Sequence, residues 1–331
     1  PGVSYSGDAA EVRRLTEMIS FSGLYWIFYW QCRSIIKWIL RQSTKLCELQ
    51  RICYDKPAGN PRSSAVEYSL THSKSQEIGF MLKELDDAAT NRTIFGRHHK
   101  VLLERSVRTV LKVKRINPSS HVPFVKNFTR CVEHIWGYRQ LYHIVEELRL
   151  TQYDSSLEEH ERKLTRLWNG LCPDVPLEAR ITKQWQDIGF QGDDPKTDFR
   201  GMGLLGLDNL VFFVEEYTAA ARHVWSHSLH PQHGYAFAIV GINLTHLTYN
   251  LLKDGSAKTH IYNACKTMPS LRAFHQLYCY LFYEFDRFWI ESKPADVMQF
   301  TFIKDQFEKN IRDLLTNPNT VFKINFVVED V

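Results

Sequence analysis

Apolar residues recur every three or four positions along most of this chain, and this spacing constrains the fold more than any other feature. Side chains three and four apart lie on one face of an α-helix, whereas a half-buried strand alternates with a period of two. Sustained alternation of that second kind is nearly absent. The pattern predicts an all-α fold: a single helical domain with an N-terminal amphipathic and apolar helix. Residues 236–252 are apolar over most of their circumference, which predicts the central helix.

Composition and charge narrow the class of protein. The 331 residues are 44% hydrophobic, which is enough for a sizeable core. A net charge of +4 is too small to indicate nucleic acid, so no nucleic-acid partner is expected. The seven cysteines include no C-x-x-C pair. This usage is typical of reduced thiols in a protein that faces the cytosol.

The N-terminal region combines an uncharged aromatic run with a basic stripe. Residues 18–32 carry no charge, and a helix of that length rises about 22 Å, short of the ~30 Å hydrocarbon core. Arg33, Lys37, Arg41 and Lys45 then follow at four-residue intervals. This arrangement favours a membrane-surface element over residues 18–45. The alternative is an N-terminal helix packed on the body with its lysines in water.

Composition divides the rest of the chain. Pro1 opens a segment that precedes the first methionine, Met18, and we expect it to be an extension. Residues 55–76 are rich in Pro, Ser and Gly, which predicts a linker or loop. The predicted segments are 1–17 (extension), 18–54 (membrane-associating helix and basic stripe), 55–76 (linker or loop), 77–155 (first helical part of the body), 156–317 (main helical domain) and 318–331 (C-terminal tail).

Residues 201–206, GMGLLG, match the phosphate-binding pattern G-x-G-x-x-G. That pattern binds a dinucleotide when it joins a strand to a helix. Here a polar loop containing Pro195 precedes it, and a strand is excluded. We therefore predict that no nucleotide or other cofactor binds at these glycines. Gly201 and Gly203 are expected to let the chain turn into a helix, and Gly206 to let that helix approach a neighbour closely.

Acidic and histidine residues near this loop raise the question of a metal. Asp194 and Asp198 fit no calcium loop, and we expect them to cap the next helix. His227, His230 and His233 have the spacing H-x-x-H-x-x-H, but Pro231 falls between them and predicts a turn. Solvated loop histidines are expected here and no metal site, with a histidine-bound metal hydrolase as the weakest alternative.

Arg200 stands between a large apolar residue and a glycine, close to a helix N-terminus where the dipole disfavours a cation. Trp185, Ile188, Phe190 and Phe199 are expected to anchor the ends of its loop in the core. One interpretation is a mobile guanidinium offered to a phosphoryl group on another protein. The other is an ion pair with Asp193, Asp194 or Asp198 that closes the loop, and spacing alone favours this second interpretation.

Residues 185–207, WQDIGFQGDDPKTDFRGMGLLGL, resemble the signature segment of the ELMO domain and most closely that of the ELMO-domain-containing (ELMOD) family. RQSTKLCELQRI (41–52), GYRQLY (137–142), LHPQHGYAFAIVGINLT (229–245) and FHQLYCYLFYEFDRFWIE (274–291) are similar to the same family. The resemblance covers most of residues 20–317 and is weak over residues 90–130. It identifies residues 156–317 as the ELMO domain.

The resemblance implies a GTPase-activating protein for small GTPases of the Arf and Arf-like families in their GTP state. The arginine of its D-F-R-G segment, the proposed catalytic residue, is Arg200 here. The rest of the family pattern maps onto Trp185, Gly189, Phe190, Gln191, Asp194, Pro195, Thr197, Asp198, Phe199, Gly201 and Gly203.

Within that interpretation Asp198 is expected to orient Arg200. Gln191 is expected either to contact the partner or to bond within the loop. No cofactor is implied. The alternative is a non-catalytic scaffold that binds a GTPase or its exchange factor. The resemblance also implies the cytoplasmic face of endoplasmic reticulum, lipid droplets or mitochondria, with some protein in the cytosol, and a link to antiviral defence.

Overall fold

A computed structural model describes residue 32 and residues 35–93 and 99–326. Within these ranges the chain is helical and contains no strand, which confirms the all-α prediction. The α-helices are α1 (residues 35–44), α2 (Glu48–Asp55), α3 (Asn60–Thr71), α4 (Gln76–Thr90), α5 (His99–Lys114), α6 (Val122–Leu150), α7 (Glu158–Leu171), α8 (Gly203–Glu216), α9 (Thr218–Ser228), α10 (Phe237–Lys253), α11 (Lys258–Ala264), α12 (Leu271–Ser292) and α13 (Phe300–Thr316).

Two compact units divide the chain, one over residues 1–55 and the other over residues 56–331. The larger unit is organised around α6 and α8. Helix α6 contacts α3, α4, α5 and α8, and α8 also contacts α7, α9, α10 and α12. Helix α10 is buried over most of its circumference, as its sequence predicted, and it lies against α8 and α12. Helix α8, which begins at a glycine, and helix α10 therefore both lie at the centre of the larger unit.

The prediction of a linker or loop at residues 55–76 is wrong over most of its length. Helix α3 begins immediately before Pro61, so the proline stands in its first turn. The backbone N–H that proline lacks would have no partner within the helix at that position, so its absence costs nothing. Ser63, Val66 and Leu70 form its buried face. The sequence showed no apolar stripe for this helix because one of the three buried positions is a serine. Its hydroxyl forms a hydrogen bond with Nδ1 of His134 at 3.2 Å.

The smaller unit shows a shorter basic stripe than the sequence suggested. Helix α1 ends at residue 44, and Lys45 has a left-handed φ of 58° that ends the helical spacing. Lys37 and Arg41 lie on the helix, and Lys37 pairs with Glu48 at 2.6 Å. Ile35, Trp38 and Ile39 are all more than half exposed. Arg33 and residues 1–31, which include the predicted extension and most of the aromatic run, lie outside the described residues.

The predicted C-terminal tail lies on the body as far as it is described. Phe322 is buried, its ring stacks on Tyr280 at 4.6 Å, and its backbone N–H bonds Nδ1 of His260 at 3.1 Å. In the described part of the chain, no helix combines the length and the apolar character that crossing a membrane requires.

Candidate functional site

Residues 183–203, called the arginine loop below, are the part of the connection from α7 that leads into the first residue of α8. They contain two short 3₁₀ helices, Lys183–Ile188 and Pro195–Arg200. Four of its apolar side chains are buried, as predicted: Trp185, Ile188, Phe190 and Phe199. The three aromatic rings meet edge to face, with centroids 5.9 Å apart from Trp185 to Phe190 and 5.6 Å from Phe190 to Phe199. Buried aromatic pairs of this kind contribute both area and a geometric preference, so they hold both ends of the loop in the core.

Two glycines have backbones that other residues rarely adopt. Gly189 has a φ of 87°, and a Cβ there would lie 2.3 Å from the backbone nitrogen of Phe237 at the start of α10. Gly203 has a φ of 51°, and its Cβ would lie 2.4 Å from the carbonyl oxygens of Arg149 and Thr151. Both glycines therefore allow the loop to touch neighbouring backbone. The predicted turn at Gly203 is confirmed.

The other two glycines of the run differ from the prediction. Gly201 has an ordinary helical φ of −80°, and nothing lies within 4 Å of where its Cβ would be, so the fold does not require glycine there. A Cβ on Gly206 would make only ordinary contacts of 3.5 Å or more. The prediction of close approach at Gly206 is wrong. Gly241 on α10 fills that role, because its Cβ would lie 2.6 Å from Leu210 of α8.

The three aspartates that could have paired with Arg200 are bonded to other groups. Asp194 caps the second 3₁₀ helix, as predicted, by accepting the Lys196 N–H at 3.0 Å. Asp198 does not cap a helix. Its Oδ2 accepts the backbone N–H of Gln191 at 2.9 Å and so joins the two halves of the loop. The side-chain amide of Gln186 donates to Asp193 at 2.9 Å.

Arg200 is exposed, and its Nε donates to the carbonyl oxygen of Thr197 at 2.8 Å. Among the described residues it forms no ion pair, and its two terminal nitrogens make no hydrogen bond. The expected ion pair with Asp193, Asp194 or Asp198 is therefore wrong, and so is the prediction that Asp198 orients the arginine. The physical reason is local: a 3₁₀ turn brings the Thr197 carbonyl within reach, while each carboxylate already has a donor.

The surface next to Arg200 is open and polar. Gln191, Lys196, Thr197 and Gly201 are all exposed. The Gln191 backbone N–H is bonded within the loop, and both alternatives for the Gln191 side chain stay predictions. Pro195, by contrast, is buried at the start of the second 3₁₀ helix.

Arg180 is part of this structure and was not predicted. It pairs with Asp194 at 3.0 Å and with Glu161 of α7 at 2.5 Å, and its guanidinium lies 5.7 Å from the centroid of the Tyr153 ring. These contacts fasten the capping aspartate to α7. A single arginine in an irregular stretch carries no periodic signal, so nothing in the sequence distinguished it.

The three histidines of the H-x-x-H-x-x-H pattern have three different surroundings. His227, near the end of α9, lies 2.7 Å from Asp286. His230 accepts the backbone N–H groups of Gln232 and His233, and His233 donates to the carbonyl oxygen of Pro294 at 2.8 Å. The predicted turn is present over residues 229–236. The structure brings His227 together with His223 and Asp286 instead, and the four-residue interval from His223 to His227 was the signal for it.

Comparisons with known proteins place this chain in a family. A family model described as the ELMO/CED-12 family matches residues 143–304. ELMO domain-containing protein 2 of Mus musculus is 45% identical, over 92% of this chain and 99% of its own length. The Bos taurus protein of that name is 47% identical, over 90% and 97%. ELMO domain-containing protein 1 of Homo sapiens is 41% identical, over 92% and 94%. No solved structure matches the chain.

Proposed function

The chain belongs to the ELMO/CED-12 family, and from this premise we propose that it is a GTPase-activating protein for Arf and Arf-like small GTPases. It would bind the GTP state and supply Arg200 in trans. The observation that supports the proposal most strongly is the state of that arginine: its guanidinium is exposed, and no carboxylate pairs with it among the described residues.

The chemistry of the arginine fits this role. During GTP hydrolysis, charge develops on the oxygens of the γ-phosphoryl group, and an arginine from a second protein that reaches them accelerates the reaction by about 10³–10⁵. The bond from Nε to the Thr197 carbonyl leaves both terminal nitrogens free of partners within the described chain. A planar fork with two open donors matches the bridging and γ-phosphate oxygens, which a single ammonium cannot do.

The anchoring of the loop supports the same proposal. Presenting an arginine on a long mobile loop loses conformational entropy when the complex forms. Here the loop is already held by the buried aromatic pairs, by Gly189 and by the bond from Gln191 to Asp198. Only the arginine side chain remains to be ordered. Asp198 thus acts on the loop backbone rather than on the guanidinium.

Single-turnover GTP hydrolysis by a panel of Arf-family GTPases tests this role. The wild-type chain is expected to stimulate at least one of them, whereas Arg200→Ala and Arg200→Lys lose most of the stimulation because neither restores the fork. Lys196→Ala is the matched control, since it removes a neighbouring exposed cation and leaves the fork intact. Stimulation by both Arg200 variants at the wild-type rate would exclude the role of Arg200. Binding to a GTPase without any stimulation would favour the non-catalytic scaffold.

We also propose that the protein works at the cytoplasmic face of an intracellular membrane, with endoplasmic reticulum, lipid droplets and mitochondria as the expected sites. Helix α1 supports this, because Ile35, Trp38 and Ile39 are exposed beside Arg41. Exposed aromatic and aliphatic side chains next to cations bind the interface of anionic bilayers. Co-sedimentation with anionic vesicles is expected for the wild type and should weaken at least tenfold in Trp38→Glu. Equal sedimentation of the two proteins would count against this helix as the anchor.

A further inference from the structure

Two histidines and a buried aspartate converge at the contact of α9 with α12, on a part of the molecule that the proposed activity does not use. His223 and His227 are four residues apart and therefore lie on the same face of α9, with ring centroids 4.1 Å apart. Asp286 of α12 faces them. One nitrogen of each histidine and one oxygen of Asp286 lie within 4.8 Å of one another.

Asp286 is held as a metal-binding carboxylate usually is. It is only 1% exposed, and the Tyr235 hydroxyl donates to its Oδ1 at 2.6 Å. That bond fixes the carboxylate plane and leaves Oδ2 directed at His227 Nδ1, 2.7 Å away. A second hydrogen bond that orients a ligating side chain is a regular feature of metal sites. A buried carboxylate also requires a nearby positive charge, which either a protonated imidazole or a cation supplies.

We propose that His223, His227 and Asp286 bind a divalent transition-metal ion of the Zn²⁺ class, with solvent at the remaining position. Two imidazole nitrogens and one carboxylate oxygen form a donor set that Zn²⁺ accepts in tetrahedral sites. Mg²⁺ and Ca²⁺ prefer oxygen ligands throughout, so the two histidines exclude them. Both histidines are partly exposed, which gives the ion and its water access from solvent.

The geometry requires only small side-chain rotations to reach the bound state. Bonds of about 2.0–2.2 Å in a tetrahedron place ligand atoms roughly 3.3 Å apart. His227 and Asp286 must therefore separate slightly from 2.7 Å, while His223 moves closer. On binding, Nδ1 of His227 gives up the proton that it donates to Asp286, to solvent from the imidazolium form or to Nε2 from the neutral ring, and Nδ1 and Oδ2 each donate a lone pair to the ion. The hydrogen bond to Asp286 raises the pKa of His227, so protons compete with the metal and binding weakens as pH falls.

The site at the contact of α9 with α12 is connected to the arginine loop through Tyr235 and the two residues that follow it. Tyr235, which bonds Asp286, also donates its backbone N–H to Ser228 at the end of α9. The next residues, Ala236 and Phe237, are those that Gly189 touches. A bound ion would tie α9 to α12 and stiffen the turn on which the arginine loop rests, which is a structural role. His230 and His233 take no part in it.

The test is a titration of the chelator-treated, dialysed full chain with Co²⁺ as a spectroscopic substitute for Zn²⁺. The wild type is expected to show visible d–d absorption that saturates at one ion per chain and disappears when Zn²⁺ is added. His223→Ala is expected to bind at least tenfold more weakly. Because His223 is partly exposed, this variant should keep the wild-type circular dichroism spectrum. His230→Ala, from the same histidine pattern, is the matched control and should bind like the wild type.

Two results would overturn the proposal. One is the absence of a saturable d–d band in the wild type. The other is a band that persists in His223→Ala together with thiolate-to-cobalt charge transfer, which would place the ion on the cysteines. Thermal unfolding gives an independent measurement, since Zn²⁺ should raise the Tm of the wild type and of His230→Ala but not that of His223→Ala. Equal shifts in all three proteins would indicate adventitious binding only.

Discussion

Alanine at Gly203 is expected to destabilise the protein, whereas alanine at Gly201, two residues earlier, is not. A left-handed φ of 51° costs a residue with a Cβ about 1–2 kcal/mol. The new Cβ would also lie 2.4 Å from two carbonyl oxygens, so the chain must shift there. That shift weakens the bond from Leu204 N to the Thr151 oxygen, now 2.9 Å, at a further cost of about 0.5–1.5 kcal/mol.

These contributions give a loss of about 1.5–3.5 kcal/mol in the free energy of unfolding for Gly203→Ala, and a fall in Tm on the order of 3–6 °C. Gly201→Ala adds a methyl group to open space at an ordinary φ and should be neutral or slightly stabilising. Urea and thermal unfolding followed by circular dichroism measure both variants. Equal stability of Gly203→Ala and Gly201→Ala would show that the backbone at residue 203 does not require glycine.

Two further predictions concern the loop and the buried histidines. Asp198→Ala removes the acceptor of the Gln191 N–H, so we expect it to lose about 1 kcal/mol of stability and to stimulate GTP hydrolysis less. Asp198→Asn keeps an acceptor oxygen and should keep most of the stability and most of the stimulation. Equal behaviour of the two variants would argue against this bond. Burial lowers the pKa values of His134, His260 and His275 to about 4. Since the unfolded chain takes up protons on these histidines near pH 6.5 and the folded chain does not, their contribution to stability should fall between about pH 6.5 and pH 4 and stay constant below that range. A constant urea midpoint from about pH 6.5 to pH 4 would contradict the prediction.

Periodicity sufficed for the helical class, because buried faces such as that of α10 repeat apolar residues at helical spacing. It failed at α3, where a buried serine interrupts the stripe and where Pro61, one of the residues that make the composition typical of a loop, stands in the first turn of a helix. A pattern of apolar residues reports burial, and it does not register a polar side chain that is buried with its own partner.

The candidate site was likewise predictable only in part. The aromatic anchors of the arginine loop were predictable, because large apolar residues in a polar loop have few places other than the core. The partners of the charged residues were not. Whether Asp198 meets Arg200 or the Gln191 N–H depends on the turn geometry, and the pairing of Arg180 with Glu161 joins positions that spacing alone does not bring together.

The proposal that Arg200 stabilises the transition state predicts stronger binding to the transition state than to bound GTP. The most direct test compares the affinity of the protein for an Arf-family GTPase loaded with a non-hydrolysable GTP analogue and for the same GTPase with GDP and aluminium fluoride, which mimics the transferring phosphoryl group. The wild type should bind the fluoride complex at least tenfold more tightly, and Arg200→Ala should lose this preference while still binding the GTP-analogue form. Equal affinity of the wild type for the two forms would contradict the account.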